Sequence, residues 1–376
     1  MPGIANALVV GGGIGGLSAS IALRRRGVAV DLVEINPKWD VYGVGIIQPG
    51  NAIRAFDQLG LGDEVIAAGR GMDGDRFSLA DGTVLAQNDY PRAAGEKYPS
   101  INGITRPRLH EILTNAVKES GTDVRLAVTV EALSSDDDGV DVTFTDGGSG
   151  RYDLVIGADG INSLVRSLAF DPELEPEYTG QVVWRYNLPR PAEVDRLWMW
   201  VGHGRKAGFV PLADDLMYLL MIEAPPAPEP VWLPTEGLAA TMRSRMTEFG
   251  GLMGEMRDRV VDDGAVVYRP VEAILVDRPW YRGRIALLGD AAHATSPHVG
   301  QGAAMAVEDA IVLAEEATGE GPLADALERW QDRRFDRVKT ICDISRQIGQ
   351  WEIDDVQDAD FVGLTVKSVV TTAAPI

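Results

Sequence analysis

The chain has 376 residues, 45% of them hydrophobic, and sets 35 basic against 56 acidic side chains for a net charge of −21. That length admits two domains, or one large domain with a grafted lobe. The acidic excess argues against nucleic acid as a partner, because phosphate neutralisation needs clustered Lys and Arg. The single cysteine, Cys342, excludes a disulfide framework, a Cys-based zinc site, an iron–sulfur cluster and a redox thiol pair within one chain. Cys342 is expected to be an ordinary buried or half-buried residue. No metal site is expected. No secretory signal pattern is visible, and no apolar run approaches the ~20 residues of a membrane span. The expectation is a cytoplasmic protein without a membrane partner.

Taken in order, Ala7–Val10 is an apolar run of strand type. Gly11, Gly13 and Gly16 follow it as G-x-G-x-x-G, Leu17–Arg26 reads as a helix, and Val28–Val33 reads as a second strand ending at Glu34. Gly11 permits a tight turn, Gly13 lets the backbone approach a pyrophosphate, and Gly16 lets helix and strand pack closely. The helix N-terminus offers free N–H groups and a positive dipole end to phosphates. Glu34 falls where a carboxylate accepts adenosine ribose hydroxyls, which selects FAD or NAD over a 2′-phosphorylated dinucleotide.

Tyr42–Asn51 is a Gly-rich loop with Asn51 placed as the N-cap of Ala52–Leu59. Asp81-Gly82 is a hairpin signal between short strands. Thr105-Arg106-Pro107 starts a helix with Leu109, Ile112, Leu113 and Val117 on one face, and Arg106 at its mouth can meet a phosphate or sugar. Val124–Val130, Val140–Thr145 and Asp153–Ile156 read as strands. The last runs into Gly157-Ala158-Asp159-Gly160, with Asn162 or Ser163 capping a helix, and open α/β sheets bind ligands at such strand ends.

From Tyr178 to about Pro279 the pattern changes to strands joined by polar turns, with a proline-rich connection at Pro225–Pro234 and Met-rich helices in Thr235–Arg259. This reads as a separate sheet inserted into the nucleotide-binding domain. Trp198 and Trp200 alternate with Met199 and so share one side of a strand. Arg284–Asp290 then returns to a strand that delivers Asp290 at its end. Pro297-His298-Val299-Gly300-Gln301-Gly302 leads into the helix Ala303–Ala317, whose bare N-terminus suits a ring that becomes negative on reduction. Leu323–Gly349 reads as a long helix with a solvated charged face and an apolar stripe through Leu327, Trp330, Phe335 and Val338.

Three separated segments, Gly11–Gly16, Ala158–Gly160 and Gly289–Gly302, therefore present small residues and backbone donors at strand ends. Together they suit an extended ligand with a polyol-linked ring, FAD rather than NAD. The segments VVGGGIGGLSASIALRRRG with Glu34, ITRPRLHEIL, DLVIGADGINSLVR and LLGDAAHATSPHVGQGAAMAVEDA stand in that order across nearly the whole chain. On these motifs the sequence resembles the para-hydroxybenzoate hydroxylase family of single-component, FAD-dependent aromatic monooxygenases.

The resemblance implies an α/β fold. A Rossmann-like FAD-binding domain with a mostly parallel three-layer sheet would carry an inserted mixed or antiparallel substrate sheet and a long C-terminal helix. The expected division is 1–177, with part of the substrate lobe near 70–105, then 178–280, then 281–376. It places Gly11, Gly13, Gly15, Gly16 and Glu34 on the ADP half, and the backbone near Val130 on the adenine. Arg106 and Asp290 would serve the ribityl–pyrophosphate region, and Gly45 with Gly300, Gln301, Gly302 and Ala303 the isoalloxazine. Asp159 and Gly160 would serve both FAD and a transient NADH or NADPH.

The activity implied is NAD(P)H-consuming hydroxylation of a small aromatic or heteroaromatic molecule by O₂ through a flavin C4a-hydroperoxide, in a monomer or homodimer. Pro297 would sit over the flavin edge, and His298 is the candidate base. Lys206, Tyr218, Arg185, Trp200 and Phe209 are the candidate substrate residues of the inserted sheet. The alternatives on one scaffold are a flavin-dependent dehydrogenase and a halogenase-like enzyme. For the latter, Gly202-His203 follows Trp198-Met199-Trp200-Val201 where the halogenase signature has Ile-Pro.

Overall fold

Strands buried on both faces read as continuous apolar runs, and the chain places such runs at the centre of a parallel sheet. In the computed structural model, which describes residues 3–41, 43–225, 227 and 229–376, Asn6–Val10 pairs in parallel with Leu154–Gly157 and with Ala29–Glu34. Ile285–Leu287 and Asp123–Leu126 extend this sheet in parallel at either side, and Tyr281–Arg282 closes one edge antiparallel. Tyr42, at the head of the expected Gly-rich loop, and Pro226 and Pro228, in the proline-rich connection, lie outside the described residues.

The turn after the first strand needs its glycines for two reasons. Gly11 has φ +105°, and a Cβ there would stand 2.4 Å from the Ala158 carbonyl oxygen. A Cβ on Gly16 would stand 1.9 Å from the Gly11 carbonyl oxygen, so the Ile14–Arg25 helix can press on the strand only without it.

The second sheet has seven strands in the order Val267–Ala273, Glu177–Pro189, Leu216–Glu223, Arg205–Pro211, Leu197–Val201, Gly74–Leu79, Val84–Asp89. All its pairs are antiparallel except Leu197–Val201 with Gly74–Leu79. Side chains alternate between its two faces. One face carries Trp184, Trp200, Phe209, Leu219 and Met221, covered by the helices Leu238–Arg245 and Gly251–Arg257 through Met242 and Met253, and by the turn between them through Met246 and Phe249. The other carries Val183, Arg185, Met199, Lys206, Tyr218, Leu220 and Ile222 and looks towards the parallel sheet.

This parity corrects two expectations. Trp200 and Phe209 are 4% and 0% exposed within the apolar core beneath the sheet, where they pack edge to face, and cannot touch a ligand on the opposite face. Register fixes this, because Trp200 pairs with Ala207 and Trp198 with Phe209, all on the helix-covered side.

Three local expectations also change. The expected strand Val124–Val130 breaks at Ala127, which has φ +59°, into Asp123–Leu126 and Val130–Ser135. Asn51 lies inside the helix Gly50–Gln58, whose N-cap is Pro49; its amide is buried, donating to Gln301 Oε1 at 3.1 Å and Glu308 Oε1 at 3.2 Å. The long helix runs Leu323–Ile353, and its charges do not all face water. Arg334 is fully buried, donating from Nε to Asp309 at 2.8 Å and ion-paired with Glu308 at 2.8 Å. Removing one member of such a buried set would strand the others, which holds this helix on Gly302–Ala317.

Arg337 and Arg54 also pair with Glu308. Arg54 donates to the carbonyls of Ala373 and Ala374, and Arg337 to those of Thr371 and Thr372, so both grip the C-terminal end of the last helix, Phe361–Ala373. Among the described residues no helix is long and apolar enough to cross a membrane.

Candidate active site

The ends of the parallel strands open onto a groove of about 320 Å³. Its floor is the first Gly-rich turn at Gly13 and Gly15; its walls are Gly45, Arg106, Ala158, Gly160, Asp290 and Gly300 to Ala303. A Cβ on Gly13 would meet nothing within 4 Å, so the backbone there faces open space of the kind a pyrophosphate fills. The helix Gly302–Ala317 begins without a side-chain cap, leaving its first N–H groups to a ligand. Arg106 heads the helix Arg106–Glu119, where the Thr105 hydroxyl accepts from the Arg108 N–H.

Glu34 is fixed from both sides. Oε2 accepts from Gly12 N at 2.7 Å and Oε1 from Asn36 N at 2.7 Å, which leaves lone pairs for two ribose hydroxyls. Trp39 Nε1 and His110 Nε2 both donate to the Gly12 carbonyl, at 3.2 and 3.3 Å. Sequence reasoning missed both residues: Trp39 belongs to no motif, and His110 lies in the ITRPRLHEIL segment without a role assigned to it.

Asp290 faces the groove. Crowding by the protein raises its carboxyl above the ordinary range, against the pull of His293 and Arg106. His293 turns away from the groove and bonds Asp309 at 2.6 Å. Two expected cofactor residues have no side chain on the groove. Asp159 accepts from Ser163 Oγ at 2.5 Å and from Val165 N at 3.0 Å, bracing the start of the helix Leu164–Ala169, while Ala158 and Gly160 line the groove. The Val130 side chain is fully buried in the core, its strand paired with Val140–Phe144, and only the backbone there is left for the contact expected with the adenine.

A cavity of about 130 Å³ adjoins the groove under the second sheet. Arg185, Tyr218, Pro297, Gly300 and Gln301 line both spaces and mark their junction; Lys206 and His298 line the cavity alone. Arg185 has no hydrogen-bond or ion-pair partner among the described residues. Burial lowers its pKa, Arg106 adds to that, and Tyr218 opposes it. Burial likewise raises the Tyr218 hydroxyl. A desolvated cation without a counter-charge is costly, and a site that keeps one is built for a ligand that supplies the charge.

Sequence reasoning missed two acidic cavity residues. Asp75 is 2% exposed, accepts from the Tyr90 hydroxyl and from Asn88 Nδ2, and has its carboxyl raised by burial. Glu352 is 4% exposed at the end of the long helix. Its Oε2 accepts from Gln181 Nε2 at 2.8 Å and meets His298 Nε2 at 3.1 Å, while Oε1 lies 2.9 Å from Lys206 Nζ. The signal for Glu352 was present: it falls on the apolar stripe Ile341, Ser345, Ile348, so an acid occupies a core-facing position. The last helix adds Phe361, Thr365, Ser368, Val369 and Thr372 to the wall.

His298 is not free. Its Nδ1 lies 2.8 Å from Ser296 Oγ and its Nε2 faces Glu352, with the side chain fully buried. Burial lowers its pKa and Lys206 adds to that, against the pull of Glu352, so the ring is neutral near pH 7.

Known proteins place this geometry. Residues 5–250 and 269–345 match the family described as FAD binding domain. The chain is 33% identical over 356 residues to the aurachin C monooxygenase/isomerase of Stigmatella aurantiaca, covering 92% of this chain and 90% of that one. It is 31% identical over 362 residues to the 3-hydroxybenzoate 6-hydroxylase of Polaromonas naphthalenivorans, covering 91% and 87%. The crystal structure of Klebsiella pneumoniae HpxO complexed with FAD and uric acid superposes with a TM-score of 0.85 at 25% identity over 97% of both chains.

The chain belongs to this family of FAD-dependent aromatic monooxygenases. Its resident cofactor is FAD, which the open turn at Gly13, the fixed Glu34 carboxylate and the uncapped helix at Gly302 fit. NADH or NADPH is the electron donor of this monooxygenase, and its substrate is an aromatic or heteroaromatic small molecule.

Proposed function

We propose that the monooxygenase hydroxylates a ring bearing a weakly acidic hydroxyl or ring N–H, held at the junction by Arg185 and Tyr218. The observation that carries this is Arg185, a buried cation without a protein counter-charge on the face shared by groove and cavity. Gly13, Gly15 and the first helix would hold the pyrophosphate of FAD, Glu34 the adenosine ribose, and Arg106 with Asp290 the ribityl region. Gly45 and Gly300 to Ala303 would border the flavin ring, with Pro297 over its edge. The bound flavin supplies the redox chemistry, passing electrons from NAD(P)H to dioxygen so that one oxygen atom reaches the ring.

The chain's own residues do the rest. Phe77, Met199, Leu220 and Ile222 form an apolar wall that excludes water from the reacting ring. Arg185 and Tyr218 orient the ring's polar edge, and the charge on Arg185 stabilises any negative charge that develops there. The test is a panel of hydroxybenzoates, quinolones and purine-type rings, scored by stimulated NAD(P)H oxidation and by product mass with labelled O₂. The expected result is a ligand that accelerates oxidation and gains one labelled oxygen atom. Acceleration without oxygen gain would make the enzyme a dehydrogenase instead.

A further inference from the structure

The cluster Lys206, Glu352 and His298 reassigns the proton chemistry, and it rests on the hydroxylase reading above. Lys206 and Ile222 share a row on the cavity face of the sheet, and Glu352 reaches that row from the long helix. We propose that Glu352, not His298, takes the proton from the substrate's ring hydroxyl or ring N–H, while Lys206 turns from that carboxylate to the new ring anion.

Three observations carry this. First, both nitrogens of His298 are engaged. With Glu352 ionised, the proton between them sits on Nε2, and the Ser296 hydroxyl donates to Nδ1. No lone pair of His298 remains to accept from a substrate. Second, Glu352 Oε1 has Lys206 Nζ, 2.9 Å away, as its partner and no other hydrogen bond, so that oxygen is left to accept a proton once the ammonium turns to the ring. Third, Glu352 also lines a second cleft, of about 560 Å³, whose rim holds His203, Asp355, Asp358 and Asp360. A proton on Glu352 has a route to water that does not cross the flavin.

The step balances without redox change. The ring X–H bond breaks with its electron pair left on X, and an O–H bond forms at Glu352 Oε1. Before it, Lys206 faces the Glu352 carboxylate; after it, the same cation faces a ring anion and Glu352 is neutral. Deprotonation therefore adds no net charge to a low-dielectric space.

In the free enzyme burial works to raise the Glu352 carboxyl, but Lys206 and His298 outweigh it and hold the group at about 2. That group is a weak base. Once Lys206 pairs with the ring, the largest lowering influence is gone and burial raises the carboxyl towards a proton-accepting range. The other groups facing Glu352 do not compete. Gln181 is neutral, and Arg205 turns to Glu248 at 3.3 Å. His203 and Asp355 pair with each other at 3.5 Å on the exposed side.

Close approach is built in. Gly349 lies one turn before Glu352, and a Cβ there would stand 2.7 Å from Gln181 Oε1 and 3.1 Å from His298 Cε1.

Nuclear magnetic resonance of the FAD-loaded protein tests this without turnover, so its failure is separable from failure of the hydroxylase reading. The chain has four histidines, and ¹⁵N-histidine labelling reads the tautomer of each. In the wild type, His298 is expected neutral with its proton on Nε2; an Nδ1–H tautomer or an imidazolium at pH 7 overturns the proposal. Lys206→Met then imitates departure of the cation. In it a ¹³C-labelled Glu carboxyl, absent from Glu352→Gln, is expected to titrate in or above the ordinary carboxylate range with His298 still neutral. A proton found on His298 instead would make the histidine the base. Should Lys206→Met not fold, Lys206→Gln carries the same comparison.

Discussion

The groove and the cavity are built by opposite means. The groove is made mostly of backbone: turns at Gly11 to Gly16, Ala158 to Gly160 and Gly300 to Gly302 meet at strand ends, and what matters there is the absence of side chains. The cavity is made of side chains projected from neighbouring strands and closed by two helices distant in sequence. Adding atoms should therefore damage the first, and removing atoms the second.

The largest effect expected comes from neither surface but from the core that supports the cavity. Trp200→Ala should destabilise the protein by roughly 3–5 kcal/mol in denaturant melts, without altering which rings are hydroxylated. A change of substrate preference in that variant would put Trp200 back among the ligand residues. Next comes Gly16→Ala, whose Cβ would overlap the Gly11 carbonyl. Overpacking of this kind costs typically about 1–3 kcal/mol, and melting temperature and FAD content should fall together.

Gly13→Ala separates the two means most directly. Its Cβ meets no protein atom, so the melt of the cofactor-free chain should be unchanged. FAD affinity should weaken about tenfold or more, roughly 1.4 kcal/mol, by fluorescence titration. On the cavity side, Arg185→Met removes the uncompensated cation. Substrate kcat/KM should fall about tenfold or more, with stability equal or raised, since no ion pair is broken. A stability loss instead would mean that Arg185 serves the fold.

The smallest effect is in pH. The folded pKa of His298 lies below 6.5, so just under 6.5 the unfolded chain binds a proton that the folded chain refuses. Stability should fall as pH drops through that window. Glu352 adds a second loss between its ordinary 4.5 and about 2. His298→Gln should flatten the first limb in melts measured against pH.

The same contrast explains what could be read from the sequence. The groove was legible because a strand, a glycine turn and a helix are local, and each of its segments writes itself in consecutive residues. Arg185, Lys206 and Tyr218 were found as polar residues in the inserted strands. Trp200 and Phe209 were misplaced, because alternation shows that they share a face and not which face is covered. Glu352 shows in the sequence only as an acid on an apolar stripe, and Asp75 only as one residue of the 70–105 stretch; that both reach one cavity, from a helix that begins at Leu323 and from a strand before the inserted segment, needs tertiary structure. Arg334 shows a related limit. A charge on a helix reads as solvated until its partners, here Glu308 and Asp309 on another helix, are known to be buried too.

Glu308 has a wider consequence. It sits midway along the helix Gly302–Ala317, whose mouth would border the flavin, and it holds Arg54 and Arg337, which grip the carbonyls at the end of the last helix. Gln301 at that mouth also donates to the Thr372 hydroxyl. The C-terminal turn is thus tethered to the cofactor helix at both levels, and loosening that helix releases it. Amide exchange at Thr371 to Ala374 should therefore slow when the cofactor is loaded and quicken when it is removed.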